Sequence, residues 1–134
     1  MSQYLLDTNM LIAAIKAREP VREKLERIDA SSILISPVVL GELLTGVEKS
    51  QRESANRERL VAVLEGLRMV ELEPQVAVHY GQIRALLEAN GTPISANDLW
   101  IAAHALALDA VLVTDNEREF RRVPGLKVEN WLAD

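Results

Sequence analysis

The feature that most restricts this chain is an alternation: short apolar runs separated by stretches of helical pattern. Tyr4-Leu5-Leu6 is an apolar run ending at Asp7, Ser32-Ile33-Leu34-Ile35 is β-branched and apolar, and Ala110 to Thr114 is the clearest strand of all. Met69 to Leu72 and the region of Lys127-Val128 supply two weaker strands. Between them lie helices over Asn9 to Lys16 and Val21 to Ile28, broken at Pro20. Ser36 and Pro37 form an N-cap followed by proline at the first helical position, opening a helix to about Lys49. Further helices cover Glu53 to Leu67, Pro74 to Ala89 with a stop at Asn90-Gly91, and Asn97 to Leu108. The polar stretch Glu48 to Arg59 reads as a bend between helices. Strands joined through helices give an α/β fold: a central parallel sheet of four to five strands with helices on both faces. At 134 residues, without repeat or linker, the chain is expected to form one domain over 1–134.

What the chain lacks narrows its chemistry. It has no cysteine, which excludes disulfides, thiolate nucleophiles and cysteine-ligated zinc. Two histidines, His79 and His104, are too few for a histidine-rich metal site, and both read as core or surface residues. No apolar run approaches the ~20 residues of a membrane span, and the N-terminus lacks a signal-peptide pattern, so a cytoplasmic protein is expected. The net charge is -5, so nucleic acid could be met only through a local basic patch or through metal ions that offset the carboxylates.

In parallel sheets, ligands sit outside the carboxyl ends of the strands, and two strands here end in acids, Asp7 and Asp115. Asp7 leaves its strand just before a helix, so it is either an N-cap or a metal ligand, with Thr8 and Asn9 adding oxygen donors beside it. Glu42 points away from the face shared by Leu40, Leu43, Leu44 and Val47, which suits a solvated glutamate or a ligand. Gly41 and Gly46 flank it inside the same helix, each costing about 1 kcal/mol against alanine, which suggests something approaching the backbone closely. Asp98 stands three residues after Ser95, the spacing of a capping box, on a face with the small residues Ala102 and Ala105. Asp115 and Asn116 form a turn at a strand exit, and either could offer an oxygen to a hard cation. The available metal chemistry is oxygen-only ligation, suited to Mg²⁺ or Mn²⁺, and such a site favours phosphodiester hydrolysis. Arg118, Arg121, Arg122 and Lys127 make the best basic rim for phosphate, while Trp100 and Trp131 read as packing residues.

Several motifs in order along the chain are recognisable together. Leu6-Asp7-Thr8-Asn9, Leu40-Gly41-Glu42-Leu43, Gly46 to Ser50, Tyr80 to Arg84 and Gly91-Thr92-Pro93-Ile94 are followed by Asn97 to Ala105. Leu112 to Asn116, Glu119-Phe120, Val123 to Leu126 and Val128 to Trp131 complete a pattern that resembles the PIN-domain toxins of the VapC type. The resemblance covers nearly the whole chain. It implies a PIN-like α/β fold and a Mg²⁺- or Mn²⁺-dependent endoribonuclease acting on structured RNA such as tRNA. By motif, Asp7, Glu42 and Asp98 take the three main acidic positions and would hold the metal. Asn116 takes the fourth, with Asp115 beside it as the alternative, and Thr8, Arg118 and Arg121 are candidates for phosphate contact. A VapB-type antitoxin and a homodimer are the implied partners. The rival reading is a binding module acting with an antitoxin in transcriptional control, its carboxylates serving only as helix caps. An aspartyl phosphatase fits poorly, because Asn9 stands where such enzymes need a second acid.

Overall fold

The computed structural model describes residues 2–132. Five strands, β1 (Tyr4–Leu6), β2 (Ile33–Ile35), β3 (Arg68–Met69), β4 (Val111–Val113) and β5 (Val128–Glu129), form one sheet in the order β3-β2-β1-β4-β5. Every pairing is parallel. The helices are α1 (Thr8–Ile15), α2 (Val21–Arg27), α3 (Pro37–Lys49), α4 (Glu53–Leu64), α5 (Pro74–Ala89), α6 (Ala96–Leu108) and α7 (Glu117–Phe120). Consecutive residues of β2 and β4 are all buried, which requires cover on both faces of the sheet. Leu5, Leu6, Leu34, Leu112 and Val113 form the centre of the aliphatic core, closed at one side by the buried Phe120 and Trp131.

The local signals act where the sequence puts them. The Ser36 hydroxyl accepts from Val38 N–H at 3.2 Å with Pro37 beginning α3. Pro74 begins α5, and Gly91, at φ +71°, takes the left-handed conformation that ends it. Trp131 packs on Tyr4 with ring centroids 5.4 Å apart, and Trp100 stacks on Tyr80 at 3.9 Å. Both tryptophans pack within the protein.

Four expectations need correction. The helix expected to reach Leu67 stops at Leu64, because Gly66 at φ +84° turns the chain toward the sheet. The polar bend shrinks to Ser50–Arg52, with Arg57 bonding both Glu48 (2.6 Å) and Glu53 (3.1 Å) across it. β3 covers only Arg68–Met69: it is an edge strand with Met69 and Leu72 exposed, and the chain leaves the ladder by Glu71, whose carbonyl bonds His104 instead. The short helix α7, built on the basic stretch after Asn116, was not anticipated.

The strand order places the functional question. β1 is central, with β2 on one side and β4 on the other, so the chain crosses in opposite directions from β1. A crevice opens at such a point, outside the carboxyl ends of the strands.

Candidate active site

Asp7 is the first residue beyond β1, and its backbone N–H still pairs with Val113 of β4 at 3.0 Å. Its carboxylate accepts from Met10 N–H at 2.9 Å, so the N-cap reading of Asp7 is correct. The cap does not exhaust the group, because the same residue lines a cleft of about 160 Å³ with Thr8, Asn9, Glu42, Asp98 and Asn116. Ile101 and Phe120 supply its apolar wall. Four oxygen-bearing side chains far apart in sequence meet here, brought by the end of β1, the middle of α3, the first turn of α6 and the turn after β4.

Glu42 is half-buried on the flank of α3 and is not a solvated surface glutamate. Thr8 Oγ1 donates to its Oε1 at 2.5 Å and Asn97 Nδ2 to its Oε2 at 3.4 Å. The glycines beside it were expected to admit a close approach by another helix or by a substrate, and the first of these does not occur. A Cβ at Gly41 or Gly46 would meet nothing within 4 Å, so no part of this chain approaches either backbone closely. Asp98 N–H donates to Ser95 Oγ at 3.2 Å, so Ser95 caps α6 as the spacing suggested, while the Asp98 side chain faces the cleft. Asn116 lines the cleft and Asp115 stands exposed outside it.

The electrostatics of the cleft are those of buried acids, to which their mutual repulsion adds a smaller part. Burial pushes the Asp7 carboxyl up to about 6 from an ordinary 3.8, opposed by hydrogen bonds from Thr114 and Met10 and reinforced by the charges of Asp115 and Asp98. Asp98 is also raised, first by burial, against the Ser95 bond and with the charges of Glu119 and Glu42. A cation would relieve both. Among the described residues, no three carboxylate or imidazole groups already converge as a closed chelate. The donor set, all oxygen, suits a hard cation that keeps several waters, with the acids standing farther apart here than in a closed site.

Two contributors escaped the sequence reading. Glu119 accepts from Asn116 Nδ2 at 2.9 Å and acts electrostatically on Asp98, which puts a further acid at the rim. The spacing Asn116-x-x-Glu119, one helical turn, was the available signal. Thr114 is fully buried, bonds Asp7 and accepts from Asn116 N–H at 2.9 Å, so it ties the exit of β4 to the exit of β1. Of the basic stretch, Arg121 pairs with Glu117 at 2.8 Å, Lys127 with Asp109 at 3.1 Å, and Arg122 donates to the Pro93 carbonyl at 3.3 Å. Among the described residues, Arg118 makes no such contact.

His104 plays no part in the cleft. It is fully buried, and burial lowers its pKa from the ordinary 6.5.

The family model of the PIN domain matches residues 4–126. The tRNA(fMet)-specific endonuclease VapC of Salmonella typhimurium is 42 % identical over 136 residues, covering 98 % of this chain and 99 % of its own. Ribonuclease VapC2 of Rickettsia felis is 41 % identical over 130 residues, covering 96 % of this chain and 97 % of its own. The crystal structure of DNA-bound VapBC from Salmonella typhimurium superposes with a TM-score of 0.92 at 39 % identity, covering 98 % of this chain and 99 % of that one. With the family model matched over residues 4–126 and relatives 41–42 % identical over nearly the full length of both chains, the chain belongs to the PIN-domain family, among the VapC ribonucleases.

Proposed function

We propose that this chain is the toxin of a type II toxin–antitoxin pair, a metal-dependent endoribonuclease that hydrolyses phosphodiester bonds in structured RNA such as tRNA. One observation carries the mechanism: Asp7, Glu42, Asp98 and Asn116 line a single cleft at the carboxyl ends of a parallel sheet. Mg²⁺ or Mn²⁺ suits this oxygen-only donor set, with Asp7, Glu42 and Asp98 as the residues that hold it. When bound, the cation supplies an activated water and charge stabilisation at the phosphate. The chain's own contribution is orientation. Thr8 and Asn97 fix both oxygens of Glu42, Met10 N–H and Thr114 fix Asp7, and Asn116 is held against Glu119. Ile101 and Phe120 give the cleft one apolar wall. The site is carried by the whole chain acting as one domain.

The Salmonella relative is named for tRNA(fMet), and at 42 % identity it makes tRNA the first substrate to try. The partner is a VapB-type antitoxin, as in the VapBC complex that this chain matches over nearly its full length. A groove of about 320 Å³, floored by Ile12, Ile15, Leu43, Val47 and Leu60, opens beside Glu42. An antitoxin segment seated there would reach the carboxylates, which suits inhibition by occupation. Assembly as a homodimer and action in the cytoplasm, where tRNA is found, complete the reading. No helix among the described residues is long and apolar enough to cross a membrane.

The second reading is a module acting with its antitoxin in transcriptional control, favoured by the DNA bound to the Salmonella complex. One experiment separates the two. Antitoxin-free protein is incubated with total tRNA in Mg²⁺ or Mn²⁺ and in EDTA, beside Asp7→Asn. Discrete metal-dependent cleavage, abolished in the variant, is expected. A folded, metal-supplied protein that cuts no RNA would leave the transcriptional reading standing.

A further inference from the structure

The buried imidazole of His104 is used by nothing in the cleft, yet all of its polar capacity is engaged. Nδ1 lies 2.9 Å from Ser36 Oγ and Nε2 lies 3.0 Å from the carbonyl oxygen of Glu71. The carbonyl can only accept, so Nε2 carries the proton and Nδ1 accepts from the Ser36 hydroxyl. That hydroxyl in turn caps α3 by accepting from Val38 N–H. One side chain of α6 therefore grips the N-terminus of α3 and the segment leaving β3, with both His104 and Ser36 fully buried. An apolar residue would fill this place without a desolvation cost. A satisfied buried polar network instead specifies one arrangement of the elements it joins.

The positions of the two acids give that arrangement a purpose. Glu42 stands six residues beyond Ser36 on α3, and Asp98 stands six residues before His104 on α6. Each acid is thus about 9 Å along its helix from the same anchor, at a rise of 1.5 Å per residue. At the far end the helices meet again, where Asn97 Nδ2 donates to Glu42 Oε2. The two arms are equal and share one origin. Any slip of α3 along α6 at the anchor is passed to the separation of Glu42 and Asp98.

We infer that His104 is a positioning residue: through Ser36 it sets the register of α3 against α6 and so the spacing at which Glu42 and Asp98 meet a divalent cation. This rests on the reading of the cleft as a metal site given above.

The test is a Mn²⁺ titration of the full chain by calorimetry, well below each variant's melting temperature, together with kcat and KM on tRNA. His104→Leu and Ser36→Ala should each weaken Mn²⁺ binding about tenfold, the loss typical of residues that orient metal ligands. Both should lower kcat and leave KM within about twofold. The double variant should be no weaker than the single ones, because both remove the same anchor. Ser36→Thr, which keeps the hydroxyl, should bind as the parent does. Leu87→Ala, a core truncation on α5, should lower the melting temperature without moving Mn²⁺ affinity. If His104→Leu fails to fold, Ser36→Ala carries the measurement. Lowered melting temperatures with unchanged Mn²⁺ affinity would overturn the anchor and leave His104 a packing residue. A parent protein that neither binds Mn²⁺ nor cuts RNA would instead overturn the metal-site reading on which the anchor depends.

Discussion

Thr8 Oγ1 donates to Glu42 Oε1 across 34 residues of sequence, so the residue after Asp7 holds the acid from the middle of α3. Thr8 was expected to contact phosphate, and its hydroxyl is already engaged. Thr8→Val keeps the shape and removes the donor, which frees Glu42 to rotate. A loss of about tenfold in kcat is expected, equivalent to about 1.4 kcal/mol, the scale of one hydrogen bond to a charged group. Thr8→Ser should restore most of it. Steady-state cleavage of a defined tRNA by the three proteins checks this; equal rates for Thr8→Val and parent would remove Thr8 from the mechanism.

Asp7 makes the metal-free protein less stable as pH rises. Its folded pKa of about 6 lies above the ordinary 3.8, so between those values the native state binds more protons than the unfolded state. Stability is then fully present below about pH 4 and is lost progressively as pH rises through 6. The loss amounts to about 3 kcal/mol at most by pH 7.5. Asp7→Asn can still accept from Met10 N–H, so it should preserve the cap, abolish cleavage and raise stability at pH 7.5. Denaturant melts of the two proteins in EDTA at pH 5 and 7.5 measure the difference, and parallel pH dependences would show that Asp7 is not the source.

With Asp7 among the residues that hold the cation, as proposed, protons and cation compete for the same carboxylate. Below about pH 6 the Asp7 carboxyl is mostly protonated, so apparent Mn²⁺ affinity should fall about tenfold per pH unit between 6 and 4. Above pH 7 the affinity should be flat with respect to this group. Addition of Mn²⁺ at pH 7.5 should raise the melting temperature, because the native state alone offers the assembled cleft. EDTA should reverse the shift.

The alternation of apolar runs and helices was enough to read the parallel α/β layout, because strands buried on both faces and helices with clear caps announce themselves locally. Ser36-Pro37 and Asn90-Gly91 marked helix ends that the structure keeps. The order of the strands was not legible, since β3 and β5 are two-residue edge strands whose pairing depends on neighbours remote in sequence. Each acid of the cleft also had a local explanation, and for Asp7 the local explanation is true as well. Capping and lining a cleft are compatible roles for one carboxylate, so periodicity could not choose between them. Only the motif order along the chain pointed to convergence. Glu119 was missed as a cleft residue because Asp98, on which its charge acts, is brought close only by tertiary packing. His104 read as a core or surface residue and is core, its bond to Ser36 visible only in the fold.

The turn after β4 gives a sharp comparison. Asn116 lines the cleft and bonds Glu119, whereas Asp115 is exposed and acts on Asp7 only through its charge. Asp115→Asn should leave cleavage within about twofold and slightly lower the pH at which Asp7 titrates. Asn116→Ala releases Glu119 and should cost about tenfold or more in kcat. A result with the two variants exchanged would make Asp115 the fourth site residue.

Arg118 separates a phosphate-binding cation from its neighbours in the same basic stretch. Arg121 is neutralised by Glu117 and Lys127 by Asp109, while Arg118 on α7 is exposed and, among the described residues, unpaired. In a chain of net charge -5, a cation unpaired among the described residues and two positions from Asn116 of the cleft has more effect on RNA encounter than paired ones. Arg118→Gln should raise KM several-fold with little change in kcat. It should also flatten the dependence of log kcat/KM on log salt by about 0.7, the contribution of one phosphate contact on single-stranded RNA. Arg121→Gln should leave that slope unchanged, since the charge it removes is already compensated. Cleavage assays between 50 and 300 mM KCl, roughly the range over which screening changes most, decide it. Identical slopes for parent and Arg118→Gln would place the RNA on another face of the cleft.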